Sequence, residues 1–351
     1  MINKMQKITV NASRKYDVII GKGLLENVAD YVKTVRKDCK ACIITDKNVN
    51  GLYSSTIENS LTNGGISYVK FVIDGGEESK SGMVYLQACE FLAQNAFTRS
   101  DVIIALGGGI VGDLAGFISA TYLRGVNFLQ VPTTLLACVD SSVGGKTAIN
   151  LKSGKNLVGA FYQPTLVLCD INCLKTLSCE EYACGMAEVI KYAMIFDDGL
   201  LAMLEGGMDS NEEKIIAKCV DLKRKVVESD ERDNGERQLL NFGHTLGHAI
   251  EKESDFKYVH GQAVAMGMSI ITEKAIEKGL CDKNVAEVLN SLLVNYNLKK
   301  TCDIPIEKLV NTSMIDKKRK GDTITVVLPK SVGKCSLVKM KTSEWEKFIQ
   351  E

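Results

Sequence analysis

The first half of the chain sets short apolar runs against longer amphipathic stretches, in a repeating order. Residues 8–11 and 16–20 read as two short strands joined by a polar turn at Ser13-Arg14-Lys15, and 23–32 as a helix. The run 41–45 is apolar throughout and ends at Asp46, with Asn48 two residues on, as a strand buried on both faces would. A helix is predicted over 52–62, a strand over 68–73 and a longer amphipathic helix over 83–95. Further buried strands are predicted over 101–106, 127–131 and 165–168. Strands alternating with helices at this rhythm imply a mostly parallel sheet covered on both faces.

After about residue 175 the pattern becomes helical. Helices are predicted over 180–195, 211–227, 263–278 and 285–294, with one late strand over 323–328. No repeat, low-complexity segment or proline-rich linker marks the change, so it is placed at residues 171–178. The reading is an α/β domain over 1–174 and an all-α domain over 175–351.

Composition narrows the classes. Apolar residues make up 45% and charged residues 25%, the mix of an ordinary globular protein. The 43 basic and 43 acidic side chains cancel, which argues against broad nucleic-acid binding. No run of about 18 apolar residues suggests a membrane span, and the first residues lack the apolar core of a signal peptide. Without an export signal, the twelve cysteines read as free thiols of a cytoplasmic protein. Cys39 and Cys42 form a lone C-x-x-C with no second pair, which favours a structural role.

Candidate chemistry begins where the strand at 101–106 meets Gly107-Gly108-Gly109-Ile110-Val111-Gly112-Asp113. Glycines permit a tight turn and close backbone approach, and the N–H groups of the following helix favour an anion. The spacing matches G-x-G-x-x-G, but on a late strand and with no acidic residue about 20 residues on. The acidic strand end, Asp46, comes earlier, so a dinucleotide site with an unusual fingerprint order is expected. Lys146 and Lys155, in glycine-rich stretches read as loops, suit phosphate as point charges. The basic run Lys317-Lys318-Arg319-Lys320 is either a solvated turn or a phosphate-facing loop.

All three histidines of the chain, His244, His248 and His260, fall within seventeen residues. Neutral imidazole is a zinc ligand, and a catalytic zinc usually takes three protein ligands. His244 and His248 are spaced to share one helix face, so spacing alone pairs these two. Glu188, flanked by Met186, Ala187, Val189 and Ile190, is a buried carboxylate able to serve as the third ligand, with Lys191 on the same face.

At this point the chain closely resembles the 3-dehydroquinate synthase family. The carrying motifs are Gly107-Gly108-Gly109 with Asp113, Tyr122-Leu123-Arg124-Gly125, Pro132-Thr133-Thr134, and Asp140-Ser141-Ser142-Val143-Gly144-Gly145-Lys146-Thr147. Gly154-Lys155-Asn156, Gly185-Met186-Ala187-Glu188-Val189-Ile190-Lys191, Leu240-Asn241-Phe242-Gly243-His244-Thr245 and His260-Gly261 complete the set. The resemblance implies an N-terminal nucleotide domain and a helical C-terminal domain, with the active site in the cleft between them. It implies NAD and zinc, with cobalt as a substitute, and a homodimer in which Arg124 reaches the neighbouring subunit's site.

The resemblance also redistributes the candidates. Metal ligands become Glu188, His244 and His260, which replaces the His244–His248 pairing that spacing suggests. Asp46, Asn48, Glu77, Lys80, Gly107, Gly108, Gly109, Asp113, Thr133, Thr134, Asp140, Ser141, Lys146 and Lys155 would line NAD. Arg124, Lys146, Asn156, Lys191, Lys223, Arg237, Asn241, His248 and Lys317 or Lys318 would meet substrate; Lys146, Lys191, Arg237, Asn241 and His248 are the catalytic candidates.

The implied reaction converts 3-deoxy-D-arabino-heptulosonate 7-phosphate to 3-dehydroquinate and phosphate, in the shikimate pathway. Transient oxidation at C5 acidifies the C6–H, phosphate is eliminated, the ketone is re-reduced, and ring opening and aldol closure follow. Lysines and arginines suit the substrate's carboxylate and phosphate. Three positions depart from the family pattern. Gln262 stands where Glu is common, Asp233 where Glu is usual, and the spacing from Asp316 to Gly321 is one residue short. The alternatives are another sugar-phosphate cyclase, a metal-dependent polyol dehydrogenase of similar fold, or a non-catalytic nucleotide-binding module.

Overall fold

A computed structural model describes residues 5–197, 199–208, 211–315 and 322–351. The chain forms two compact units, Met1–Leu177 with Glu212–Arg232, and Ser178–Asn211 with Asp233–Glu351.

The first unit opens with β1 (Gln6–Asn11) and β2 (Lys15–Gly21), an antiparallel pair, followed by α1 (Val28–Val35). Strand and helix then alternate through β3 (Ala41–Asp46), α2 (Lys47–Asn63), β4 (Tyr68–Ile73), α3 (Gly82–Gln94), β5 (Val102–Gly107), α4 (Gly109–Thr121) and β6 (Asn127–Pro132). A hairpin of β7 (Lys146–Leu151) and β8 (Gly154–Phe161) precedes β9 (Leu166–Asp170). The seven-stranded sheet runs β1-β2-β9-β6-β5-β3-β4, and every pairing except β1 with β2 is parallel.

The uninterrupted apolar strands follow from burial on both faces. Ala41 and Ile43 of β3 join Val102, Ile104 and Leu106 of β5 against Val28 and Val32 of α1 and Ile57 and Leu61 of α2. The alternate residues, Cys42, Ile44, Ile103 and Ala105, pack on Ala88 and Leu92 of α3 and Leu114 and Ile118 of α4. Period-two alternation thus feeds two cores instead of one core and one wet face. Cys42 sits in this interior, where burial pushes its thiol pKa up to about 12, in line with a structural role. At the end of β9 the buried Asp170 carboxylate accepts from the N–H groups of Gly23 at 3.1 Å, Leu25 at 3.1 Å and Asn172 at 3.0 Å. It anchors the segment entering α1.

The second unit starts with α5 (Cys179–Phe196) and α6 (Leu200–Glu205). Ser178 and Glu181 form a capping box at the start of α5. Helix α7 (Glu212–Ser229) belongs to the first unit. The second resumes with α8 (His244–Glu253), α9 (His260–Glu277), α10 (Asn284–Asn295) and α11 (Ile306–Ile315). It ends in β10 (Thr323–Ser331), β11 (Lys334–Lys341) and α12 (Thr342–Gln350). The unit is helical as expected, but all-α needs one amendment. The strand legible near residue 323 has an antiparallel partner, β11, so the helices carry a two-stranded hairpin. Trp345 of α12 is fully buried and donates through Nε1 to Ser313 Oγ of α11 at 2.9 Å.

Candidate active site

Strand β3 pairs with β4 on one side and β5 on the other. The chain therefore leaves β3 outward to β4 and returns to the far flank of β3 for β5. This reversal is a topological switch point, and ligands of open parallel sheets bind at the strands' carboxyl ends there. Asp46 ends β3 and Gly107 ends β5. Glu77 and Lys80 follow β4, while Thr133, Thr134, Asp140 and Ser141 follow β6. The candidate nucleotide residues outside the β7–β8 hairpin thus all lie just beyond the carboxyl ends of four adjacent strands.

Local bonds fix these groups. Asp46 caps α2, its Oδ1 accepting from Asn48 N–H at 2.9 Å and Val49 N–H at 3.0 Å. Lys80 is only 4% exposed; its Nζ pairs with Asp113 Oδ2 at 2.5 Å and donates to Asn156 Oδ1 at 2.5 Å. Burial raises the Asp113 pKa, and Lys80 works against that rise. Thr133 donates its N–H to Gly107 O at 3.1 Å, while its buried Oγ1 has no hydrogen-bond partner among the described residues. A Cβ on Gly109 would come within 3.1 Å of Ser141 Oγ, and one on Gly108 within 3.1 Å of the Thr134 methyl. Open backbone at a helix start, a strand-end carboxylate and an orphaned hydroxyl fit a dinucleotide.

The stretch around Lys146 and Lys155 differs from its reading as loops. Both lysines lie in the β7–β8 hairpin and are exposed. Asn150 of β7 holds this hairpin to the strand-end residues: its Nδ2 donates to Glu77 Oε1 at 2.7 Å, and its Oδ1 accepts from Asn156 N–H at 2.8 Å. Periodicity could not mark Asn150, because its bond to Glu77 spans a long stretch of chain. Asp140 and Ser141 lie in a turn of π-helix, Ala137–Ser141, a local form frequent at functional sites. Lys223 on α7 pairs with Asp140 Oδ1 at 2.8 Å and donates to its carbonyl at 2.5 Å. Arg124 is exposed in a left-handed backbone conformation, φ 66°.

In the second unit, α5 carries Glu188 and Lys191, each 1% exposed and joined as an ion pair through Oε2. Glu188 Oε1 lies 3.7 Å from Nε2 of His244 and 3.7 Å from Nε2 of His260. These three residues each offer a donor atom within 4.8 Å of the others. His244 Nδ1 lies 3.2 Å from Phe242 O, and His260 Nδ1 lies 3.1 Å from Glu251 Oε2. A carbonyl and a carboxylate only accept, so both Nδ1 atoms carry their protons and Nε2 faces Glu188. With Nδ1 protonated, Nε2 is the nitrogen each ring has left for an ion, and the donor set suits zinc or a similar divalent ion. Burial, then Lys191, pushes the His244 pKa down to about 3. Burial also opposes charge on His260, but Glu188 and Glu251 outweigh it and push its pKa up to about 10.

Close helix packing sets this geometry. Gly243 takes φ 78° immediately before α8. A Cβ on Gly261 would strike the backbone of Cys184, so α9 meets α5 backbone to backbone just past His260. His248 is exposed one turn after His244, and its ring centroid is 5.4 Å from that of His244. His248 belongs instead to a second group with Glu251 and His260. The pair that spacing suggests, His244 with His248, thus falls in two different groups, and His260 is common to both. The third donor near Glu188 and His244 comes from α9, which brings in His260. Arg237 is buried and Asn241 exposed, both on the short turn Glu236–Asn241. Lys317 and Lys318 lie outside the described residues.

The fold and the donor set define an α/β unit whose strand ends suit a dinucleotide, joined in one chain to a helical unit with a two-histidine, one-carboxylate centre. Residues 70–184 match the model of the 3-dehydroquinate synthase N-terminal region, and 185–319 that of the C-terminal region. The chain belongs to the 3-dehydroquinate synthase family. A 3-dehydroquinate synthase of Clostridium beijerinckii is 46% identical over 337 residues, covering 93% of this chain and 95% of its own. That of Clostridium kluyveri is 42% identical, covering 98% of each. Among solved structures, a 2-deoxy-scyllo-inosose synthase complexed with carbaglucose-6-phosphate, NAD+ and Co2+ matches with a TM-score of 0.86. It is 25% identical and covers 98% of this chain and 99% of that one. A 2-epi-5-epi-valiolone synthase of Streptomyces hygroscopicus, with NAD+ and Zn2+ bound, shares the fold at a TM-score of 0.86 and 23% identity, covering 98% of each chain.

Proposed function

We propose that this chain converts 3-deoxy-D-arabino-heptulosonate 7-phosphate to 3-dehydroquinate and phosphate, with NAD and zinc or cobalt. The observation that carries the reading is the Glu188–His244–His260 centre, with both Nε2 atoms turned to one carboxylate, in a chain of this family. Bound NAD would take a hydride and return it, while the divalent ion would polarise a substrate oxygen. Asp46, Asn48, Glu77, Lys80, the Gly107–Gly109 turn, Asp113, Thr133, Thr134, Asp140, Ser141, Lys146 and Lys155 are assigned to the nucleotide. Glu188, His244 and His260 are assigned to the ion.

The remaining work falls to the cations and to His248. From the first unit Arg124, Lys146, Asn156 and Lys223 are assigned to the substrate, and from the second Lys191, Arg237, Asn241 and His248. Arginine forks and lysine point charges match its carboxylate and phosphate. They would hold the substrate's carboxylate and phosphate in place until the phosphate leaves. His248, exposed beside the centre, is assigned to hold or move a proton at a substrate hydroxyl. Lys317 and Lys318 remain candidates for the same anionic substrate. A homodimer, with Arg124 serving the neighbouring site, is part of the same reading.

Phosphate release from the heptulosonate phosphate, with NADH absorbance followed in the same cuvette, tests it. Release of many equivalents of phosphate with catalytic NAD and no NADH build-up is expected. Accumulating NADH on a polyol would move the function to a dehydrogenase. Phosphate release from a neutral sugar phosphate alone would move it to another cyclase.

A further inference from the structure

The two histidines of the centre are held differently. His244 leans on a backbone carbonyl, that of Phe242, two residues before it. His260 is the first residue of α9 and leans on a side chain of another helix, Glu251 of α8. Glu251 is 7% exposed. A carboxylate so buried needs a partner to offset its desolvation, and the imidazole Nδ1 at 3.1 Å is one. His248 also lies beside Glu251: the donor atoms of His248, Glu251 and His260 lie within 4.8 Å of one another.

Resting on the metal reading above, we infer that Glu251 is a positioning residue for the centre. It accepts from His260 Nδ1–H, holds the ring so that Nε2 faces Glu188, and raises the basicity of that nitrogen toward a divalent ion. Carboxylates placed behind a ligating histidine act in this way, and their loss weakens metal affinity about 10- to 100-fold. Glu251 matters here because His260 Nδ1 has no other acceptor among the described residues, whereas the acceptor of His244 is backbone and cannot be lost by substitution.

The test is zinc affinity of the metal-free full chain, measured by competition with a chromophoric chelator, for the wild type, Glu251→Gln and Glu251→Ala. The amide keeps the shape and an accepting oxygen but drops the charge, so it guards against a variant that fails to fold. Melting curves of the metal-free proteins run alongside. Expected are one zinc per chain throughout, an affinity about 10- to 100-fold weaker for Glu251→Ala, and a smaller loss for Glu251→Gln, with its melting curve unchanged. Wild-type affinity in both variants overturns the inference while leaving the metal reading intact. A wild-type chain that takes up no zinc overturns both. A wild type holding two ions where Glu251→Ala holds one would make Glu251 a ligand of a second ion, in the group with His248, and overturn the positioning role.

Discussion

Lys191 follows Glu188 by three residues on α5, and the two divide the carboxylate: Oε2 pairs with the ammonium, while Oε1 lies 3.7 Å from both His244 and His260. The lysine therefore supplies a countercharge to Glu188 that does not compete for the oxygen facing the imidazoles. Removing one member of a buried pair strands the other, at about 3–5 kcal/mol. Lys191→Met should lower the melting temperature of the metal-free chain, and saturating zinc should raise it by more than in the wild type, since the ion restores positive charge beside Glu188. Equal zinc-induced shifts in the two proteins would show that Lys191 does not share this charge.

The two ligand histidines have opposite proton affinities in the metal-free chain. His260 is pushed up to about 10 and His244 down to about 3, so near neutral pH only His260 carries the extra proton. An ion can take Nε2 only when that proton leaves. Zinc affinity should therefore rise about tenfold per pH unit between roughly pH 7 and 9, with close to one proton released per ion. Calorimetry in buffers of different ionisation enthalpy counts the protons; a flat pH profile across this range would contradict the assignment.

Backbone contact sets where His260 sits. Adding a methyl at Gly261 places it against the Cα, carbon and oxygen of Cys184, atoms that cannot rotate away. Gly261→Ala should cost at least the roughly 1–3 kcal/mol typical of overpacking and should weaken zinc binding, because His260 moves with the start of α9. A variant with wild-type melting and wild-type zinc affinity would mean that α9 shifts freely at this point.

How much of this was legible depended on whether a residue's partner was near it in sequence. Uninterrupted apolar runs marked β3 and β5 because each is buried on both faces, and Glu188 stood out as a lone carboxylate in an apolar stretch. The β7–β8 hairpin was missed: its glycines and lysines read as loop, and Leu151, Leu157 and Phe161 point outward in place of marking a buried face. Glu251 was invisible for another reason. Its neighbour His248 lies one turn away on the same helix, and spacing says nothing of His260, which its carboxylate also meets once the turn between α8 and α9 brings that residue back. Helical spacing reports faces of one helix, and a centre assembled from α5, α8 and α9 needs tertiary packing to read.

Arg124 offers a test of assembly. It is exposed, its left-handed backbone is followed by Gly125 at φ 128°, and the Leu123 carbonyl before it is held by Arg99 Nε at 2.9 Å. In the proposed homodimer this side chain serves the neighbouring subunit's substrate. Arg124→Ala and His248→Ala should each be nearly inactive alone, yet an equimolar mixture after subunit exchange should regain about a quarter of wild-type turnover. That fraction follows if half of the chains pair as mixed dimers and each such dimer has one intact site. No recovery, with exchange demonstrated by mass spectrometry, would place Arg124 in its own chain's site.

His248 is the sharpest discriminator between ligand and substrate contact. It lies on the same helix as His244, but the three-residue centre is complete without it. If the ion rests on Glu188, His244 and His260, then His248→Ala should bind one zinc with wild-type affinity and bind NAD normally. Its turnover should fall about 100-fold or more, the scale of a lost acid–base group. His244→Ala should instead lose stoichiometric zinc. The order of the two effects carries the assignment: a His248 variant that loses its zinc would return the site to the pair one helical turn apart, and His260 would then be the substrate-facing imidazole.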